Sequence, residues 1–177
     1  MTPWEEDEER AAGVVGYATA QLGHMRELLG MLSDAQYVCR PHEAASCVAG
    51  HVRHCVNHYT AILAGADVGT VEYDRRKRGG ELETDRGAAL TRLADVSARV
   101  AAVAPADLDR PVDVLHVVDA AGTVVRTRST VGRELLFVSH HAVHHLAVMV
   151  PVARALGVTV PVEFGYAPAT LAYLRRV

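Results

Sequence analysis

The chain has 177 residues, half of them apolar but only 5% aromatic, and its formal net charge is −3. A chain of this length can bury a substantial core, so residues 1–177 are predicted to form a single domain. The slightly acidic charge provides no electrostatic attraction for a polyanion or for an anionic membrane surface. Neither a nucleic acid nor a membrane is therefore expected as a partner.

The beginning of the chain, MTPWEEDEER, is acidic and lacks the basic and apolar regions of a signal peptide. Export is not expected, and the three cysteines are predicted to stay reduced in the cytoplasm. The most apolar stretch, residues 135–156, contains four histidines, Pro151 and Arg154. These polar residues make it a poor candidate for a membrane span.

Apolar residues recur at helical spacing from about Glu9 to Leu32, which predicts a first long helix. A second helix is predicted from Pro41, which suits a first helical turn, to about Ala64, where Gly65 would end it. Its buried stripe is expected to consist of Val48, Val52, Cys55, Tyr59 and Ile62. The charged, turn-rich segment that follows indicates a long surface connection.

A third helix is predicted after Thr84 or Asp85, either of which can cap it, and Pro105 closes it. Alternating β-branched and polar residues then predict a β-hairpin with strands at about 112–118 and 123–129. A last long helix runs from Thr130 to Gly157, and a short terminal helix follows Pro168. The order predicts an all-α four-helix bundle with a small β-hairpin inserted before the last long helix.

Seven of the ten histidines fall in two clusters, one on the second predicted helix and one on the last. In HVRHCVNHY, the spacing places all three histidines within roughly 60° of one another on one helix face. In HHAVHH, two pairs are each spaced four residues apart, and helical spacing alone does not choose between them. The clustered residues are His51, His54 and His58, followed by His140, His141, His144 and His145.

Two histidines four residues apart on one helix can bind the same metal ion, and a histidine from another helix completes a three-nitrogen site. Neutral imidazole suits zinc, nickel, copper and iron, so the ligand type does not identify the metal. The usual role of a single histidine is that of a hydrogen-bonded residue without metal. Four histidines within six positions of an apolar helix are different, because burying them without partners costs several kcal/mol.

The pairing of HVRHCVNHY with HAVHHLAVM resembles the DinB-like superfamily, whose corresponding segments take forms such as HIADSE and HxxHHRGQI. The similarity runs from the first helix through YAPATLAYLRR. It implies a four-helix bundle, often dimeric, with one divalent metal, zinc or nickel above all, held by three histidines. Matching the motifs selects His54, His141 and His145 as ligands. The additional histidines, His51, His58, His140 and His144, stay as alternative ligands.

Glu134 lies seven residues before His141 and therefore on nearly the same helix face. It is a candidate acid/base group or a hydrogen-bond acceptor for a ligand. Its alternative role is that of a carboxylate in a first helical turn, where the helix dipole favours negative charge.

The resemblance implies a metal-dependent enzyme that activates water or a low-molecular-weight thiol, because enzymes of this family include thiol transferases and thiol-dependent isomerases. A small-molecule substrate and a homodimer are expected with it. A second hypothesis is a non-catalytic or stress-responsive protein with a structural metal. A third is a haem bundle with two axial histidines, one from each helix.

Overall fold

The computed structural model describes residues 3–41, 46–75 and 79–176, and these residues form a mainly helical chain with one small sheet. The helical class predicted from the sequence is therefore confirmed at this level, and the sheet is larger than expected by one strand. The helices are α1 (Pro3–Gly30), α2 (Asp34–Val38), α3 (Val48–Val68), α4 (Arg86–Ala101), α5 (Val131–Ala155) and α6 (Pro168–Leu174), and the strands are β1 (Thr70–Glu72), β2 (Pro111–Val117) and β3 (Val124–Thr130).

The four long helices surround a shared apolar core. Helix α1 packs against α4 and α5, and α3 packs against the same two helices. By length and composition alone α5 is apolar enough to cross a membrane, and half of its most apolar segment is buried inside the protein. Core helices of folded domains have the same composition. The stripe predicted for the second helix is buried as expected: Val48, Val52, Cys55, Tyr59 and Ile62 are each at most 1% exposed.

The second long helix begins later than its proline suggested. Pro41 lies outside any helix, and α3 starts at Val48, after the extended backbone of Cys47. The predicted start was wrong because Pro41 permits a helical turn without requiring one. The chain instead forms the short helix α2 before this proline. Ser33 caps α2 through a reciprocal pair of hydrogen bonds with Gln36. Residues 42–45 of the predicted helix lie outside the described residues.

The end of α3 also differs from the prediction, because Gly65 lies inside the helix rather than after it. The helix continues to Val68 and is terminated by Gly69, whose φ of 77° is the left-handed conformation that glycine adopts without strain. Gly65 has another role. A Cβ atom at this position would lie 2.5 Å from Val71 Cγ2 and 2.8 Å from the carbonyl oxygen of Thr70. Its hydrogen atom lets β1 fold back directly against α3.

The later helices begin where their caps predict. The Asp85 carboxylate accepts a hydrogen bond from the amide of Ala88 at the start of α4, and Thr130 accepts one from Arg133 at the start of α5. Each side chain satisfies an amide that has no partner within its helix. Helix α4 ends at Ala101, before Pro105. The short terminal helix predicted after Pro168 is present as α6.

The hairpin is confirmed, with β2 and β3 antiparallel and Val114 opposite Thr127. Strand β1 pairs in parallel orientation with the other edge of β2, and Val71 lies opposite Val114. This strand was missed because it is three residues long and lies in a segment rich in charge and turn residues. Its consequence is local: the chain that leaves β1 enters the protein at Tyr73, which is only 7% exposed.

We predict that Gly65→Ala destabilises the fold, because a methyl group would collide with the backbone and side chain of β1. The expected loss is about 1–3 kcal/mol in the free energy of unfolding, measured by urea denaturation. Gly16→Ala in α1 is the matched control, since nothing lies within 4 Å of a Cβ atom there. The control should be neutral or stabilising by about 0.5–1 kcal/mol. Equal stability of the two variants would contradict the role assigned to Gly65.

Candidate metal centre

The histidine clusters of α3 and α5 face each other across the contact between these helices. Each histidine of α3 comes one residue before a buried residue of the core, namely Val52, Cys55 or Tyr59. The histidines therefore line the edge of the contact between the two helices. His58 is buried, His51, His54, His141 and His145 are half-buried, and His140 and His144 are exposed.

His141 lies at the centre of the close contacts. Its Nε2 atom is 2.7 Å from Nε2 of His54 and 3.1 Å from Nε2 of His145. A ring nitrogen carries at most one proton, so His141 has a single proton or a single lone pair for both neighbours. A metal cation accepts lone pairs from several nitrogens at once. When each metal–nitrogen bond is about 2.0–2.1 Å long, the bound nitrogens lie at distances from one another close to those observed here. The three ligands selected from the sequence are therefore close together.

His58 also belongs to this group. One ligand atom from each of His54, His58 and His141 lies within 4.8 Å of the others. The Nδ1 atom of His58 is 3.0 Å from the carbonyl oxygen of His54. Because a carbonyl only accepts hydrogen bonds, Nδ1 of His58 must be the protonated nitrogen. Its Nε2 atom then carries the lone pair that a metal ion binds.

His145 makes a second contact through its other nitrogen, since its Nδ1 atom is 2.9 Å from Nδ1 of His51. Burial first, and then the neighbouring histidines led by His141, lower the pKa of His145 to about 3. Burial also lowers the pKa of His51, with a contribution from His144. Both shifts favour neutral imidazole, which is the form that binds metals.

The remaining two histidines lie at the exposed edge. Nδ1 of His140 is 3.1 Å from the hydroxyl of Tyr17 on α1, and burial raises the pKa of that phenol. His144 places its ring centre 5.2 Å from that of His145 and 6.3 Å from that of His141. The alternative pair His140 and His144 is thus more peripheral than the pair His141 and His145.

Glu134 is 2% exposed, and its carboxylate accepts three hydrogen bonds. The donors are the hydroxyl of Tyr73 at 2.8 Å, the hydroxyl of Ser129 at 2.7 Å and the guanidinium of Arg133 at 2.8 Å. The carboxylate lies in the first turn of α5. This is the position expected if its role is to interact with the helix dipole. Glu134 also links that turn to Tyr73, which in turn contacts a histidine.

Tyr73 is the site residue that sequence reasoning missed. Its ring stacks on that of His58, with the ring centres 5.1 Å apart and the planes at 11°. Burial, and then the charge of Glu134, raise the pKa of its hydroxyl, so Tyr73 stays protonated and donates. The available signal was the alternation of Val71 and Tyr73 with polar residues in TVEYD, which indicates a short strand.

A wide cleft among the described residues lies on another side of α3, against α4. Its volume is about 840 Å³, and its lining includes Arg53, Asn57 and Leu82 together with Arg92 of α4. The histidines lie at the contact with α5 and so form a site in the helix interface rather than at the bottom of this cleft.

Two comparisons with known proteins bear on the site. The model of the DinB superfamily matches residues 18–149, a range that contains both histidine clusters. A protein named FK506-binding protein 5, from Rhizopus delemar, is 32% identical over 121 residues. That match covers 67% of this chain and 31% of the fungal protein, so the chain spans about a third of that relative's length.

We predict that Glu134→Ala lowers the free energy of unfolding by about 2–4 kcal/mol, because it removes a buried charged acceptor and leaves Tyr73 and Ser129 without theirs. Glu27→Ala on the exposed face of α1 is the control and should change stability by less than about 0.5 kcal/mol. Thermal or urea denaturation measures both. If Glu134→Ala lowers the free energy of unfolding no more than the control does, the hydrogen bonds of Glu134 make no net contribution to stability.

Proposed function

This chain belongs to the DinB superfamily, and we propose that it binds one divalent metal ion between α3 and α5 and works as a metal-dependent enzyme. The observation that supports the proposal is the convergence of three ring nitrogens, since Nε2 of His141 lies within 3.1 Å of Nε2 of both His54 and His145. We further propose that the four long helices form the four-helix bundle expected of the family. Two rigid helices would then hold the ligands.

His54 from α3 and the pair His141 and His145 from α5 are the proposed ligands. Their suitability follows from their chemistry: the rings are half-buried, and the lowered pKa of His145 keeps that imidazole neutral. Zinc and nickel are the proposed ions: neutral imidazole suits both, and the resemblance to the family favours them over copper and iron.

When bound, a divalent cation lowers the pKa of a water molecule or thiol beside it and so provides a nucleophile near neutral pH. The protein's own contribution is to fix the imidazoles and to hold them neutral. A small molecule, with a low-molecular-weight thiol as co-substrate, is the proposed substrate class, and thiol transfer or isomerisation the proposed reaction. Homodimerisation is proposed from the resemblance to the family, and the cytoplasmic location expected from the sequence stays a proposal.

The second candidate is a structural metal in a non-catalytic protein, and the position of the cluster favours it. The histidines lie between two core helices, so an ion shared by both would cross-link α3 to α5. The haem alternative is less favourable. With metal–imidazole bonds of about 2 Å, two axial nitrogens lie about 4 Å apart, whereas Nε2 of His54 and Nε2 of His141 are 2.7 Å apart.

We predict one zinc or nickel ion per chain after reconstitution, measured by elemental analysis of the dialysed protein. His54→Ala and His141→Ala should each lose the ion, because each removes a nitrogen from the closest pair. His116→Ala is the control, since His116 lies on β2 and contacts Thr127 of β3. A Soret band in the purified protein, or full metal content in both ligand variants, would refute the proposed site.

The catalytic and structural candidates separate by a second measurement on the wild type. A catalyst adds a low-molecular-weight thiol to electrophiles only when metal is bound. A structural site raises the melting temperature on metal binding and leaves the rate of thiol addition at that of the metal-free protein.

A further inference from the structure

Two further imidazoles, those of His58 and His145, each lie against both members of the close pair His54 and His141. Beyond the three proposed ligands, His58 places its ring centre 4.3 Å from that of His54 and 4.5 Å from that of His141. It is also the most buried histidine of the two clusters, at 7% exposure.

The protonation of His58 favours metal binding. Its Nδ1 atom donates to the carbonyl oxygen of His54, which leaves the lone pair on Nε2. A hydrogen bond from the opposite ring nitrogen to a backbone carbonyl is the usual arrangement for a histidine that binds metal, because it fixes both the tautomer and the ring orientation.

The orientation of the His58 ring is fixed from its other face as well. Tyr73 stacks on it with nearly parallel planes, and the hydroxyl of Tyr73 donates to the buried Glu134. Glu134 is itself held by Ser129 and Arg133. The ring of Tyr73 thus has little freedom to move away, and neither does that of His58.

We propose that His58 is a fourth protein ligand of the same ion and that Tyr73 and Glu134 are the residues that position it. This inference rests on the proposed metal site. It predicts a site closed by protein ligands when the ion is zinc, which prefers four tetrahedral ligands. A water molecule or thiol would then require an ion that accepts more than four ligands, such as nickel in tetragonal coordination.

The direct test counts ligands in the wild type. X-ray absorption of the zinc-loaded protein should fit four imidazole nitrogens with no oxygen ligand. Cobalt-loaded wild type should keep its visible spectrum when azide is added, because no position is open. Removing a residue that only hydrogen-bonds to a metal ligand already weakens metal binding by about tenfold. Because His58 is proposed as a direct ligand, His58→Ala should weaken zinc binding by at least that factor. Its cobalt spectrum should change with azide, and added imidazole should restore the wild-type spectrum.

Two further variants separate the ligand from its supports. Tyr73→Phe keeps the ring stacked on His58 but loses the bond to Glu134, so zinc affinity should fall by about tenfold while the ligand count stays at four. His144→Ala is the matched control, because it removes an exposed histidine of the same cluster. It should match the wild type in zinc affinity, ligand count and azide response.

The outcomes distinguish this inference from the function on which it rests. Wild type that binds no zinc or cobalt overturns both. Wild type that binds zinc through three imidazoles and one oxygen, with an azide-sensitive cobalt spectrum, overturns the role of His58 and leaves the proposed function in place. Because the ligand count is made on wild type, it decides the question even if His58→Ala does not fold.

Discussion

The contact between α3 and α5 is the constraint on which the candidate site depends. The hydroxyl of Tyr59 on α3 donates to that of Ser139 on α5 at 3.1 Å, and Ser139 donates in turn to the carbonyl of Leu135. These buried hydrogen bonds set the position of one helix along the other, which apolar packing alone leaves less specific. Since His58 precedes Tyr59 and His141 follows Ser139 by two residues, the same contact brings their rings together.

The small sheet supports the site from one end of this contact. Gly65 lets β1 lie against α3, and the chain leaving β1 places Tyr73 between the ring of His58 and the carboxylate of Glu134. The strand that adds to the hairpin therefore has a function beyond hydrogen bonding. It connects the first turn of α5, through one tyrosine, to a histidine near the middle of α3.

Much of this arrangement could be predicted from the sequence, because local patterns encode it. Apolar spacing predicted the long helices, caps located the starts of α4 and α5, and histidine spacing located the two clusters. The predicted start of α3 was wrong because Pro41 permits a helix without requiring one. Which histidines approach each other depends on how α3 and α5 are rotated and offset, and spacing does not contain that information. Tyr73 was missed for the same reason, since its contact with His58 spans a turn and a strand.

The charge of the histidine site bears on its chemistry. Imidazole ligands are neutral, so a divalent ion held by them keeps its full charge, whereas carboxylate ligands would offset part of it. The buried carboxylate near the site, Glu134, is directed at Tyr73, Ser129 and Arg133. With the proposed ion bound, a site with this donor set attracts an anionic partner, and a thiolate or hydroxide provides both the charge and the lone pair. In the proposed site, whether such a partner reaches a zinc ion depends on the number of imidazoles bound to it, so the proposed role of His58 separates a catalytic zinc from a structural one.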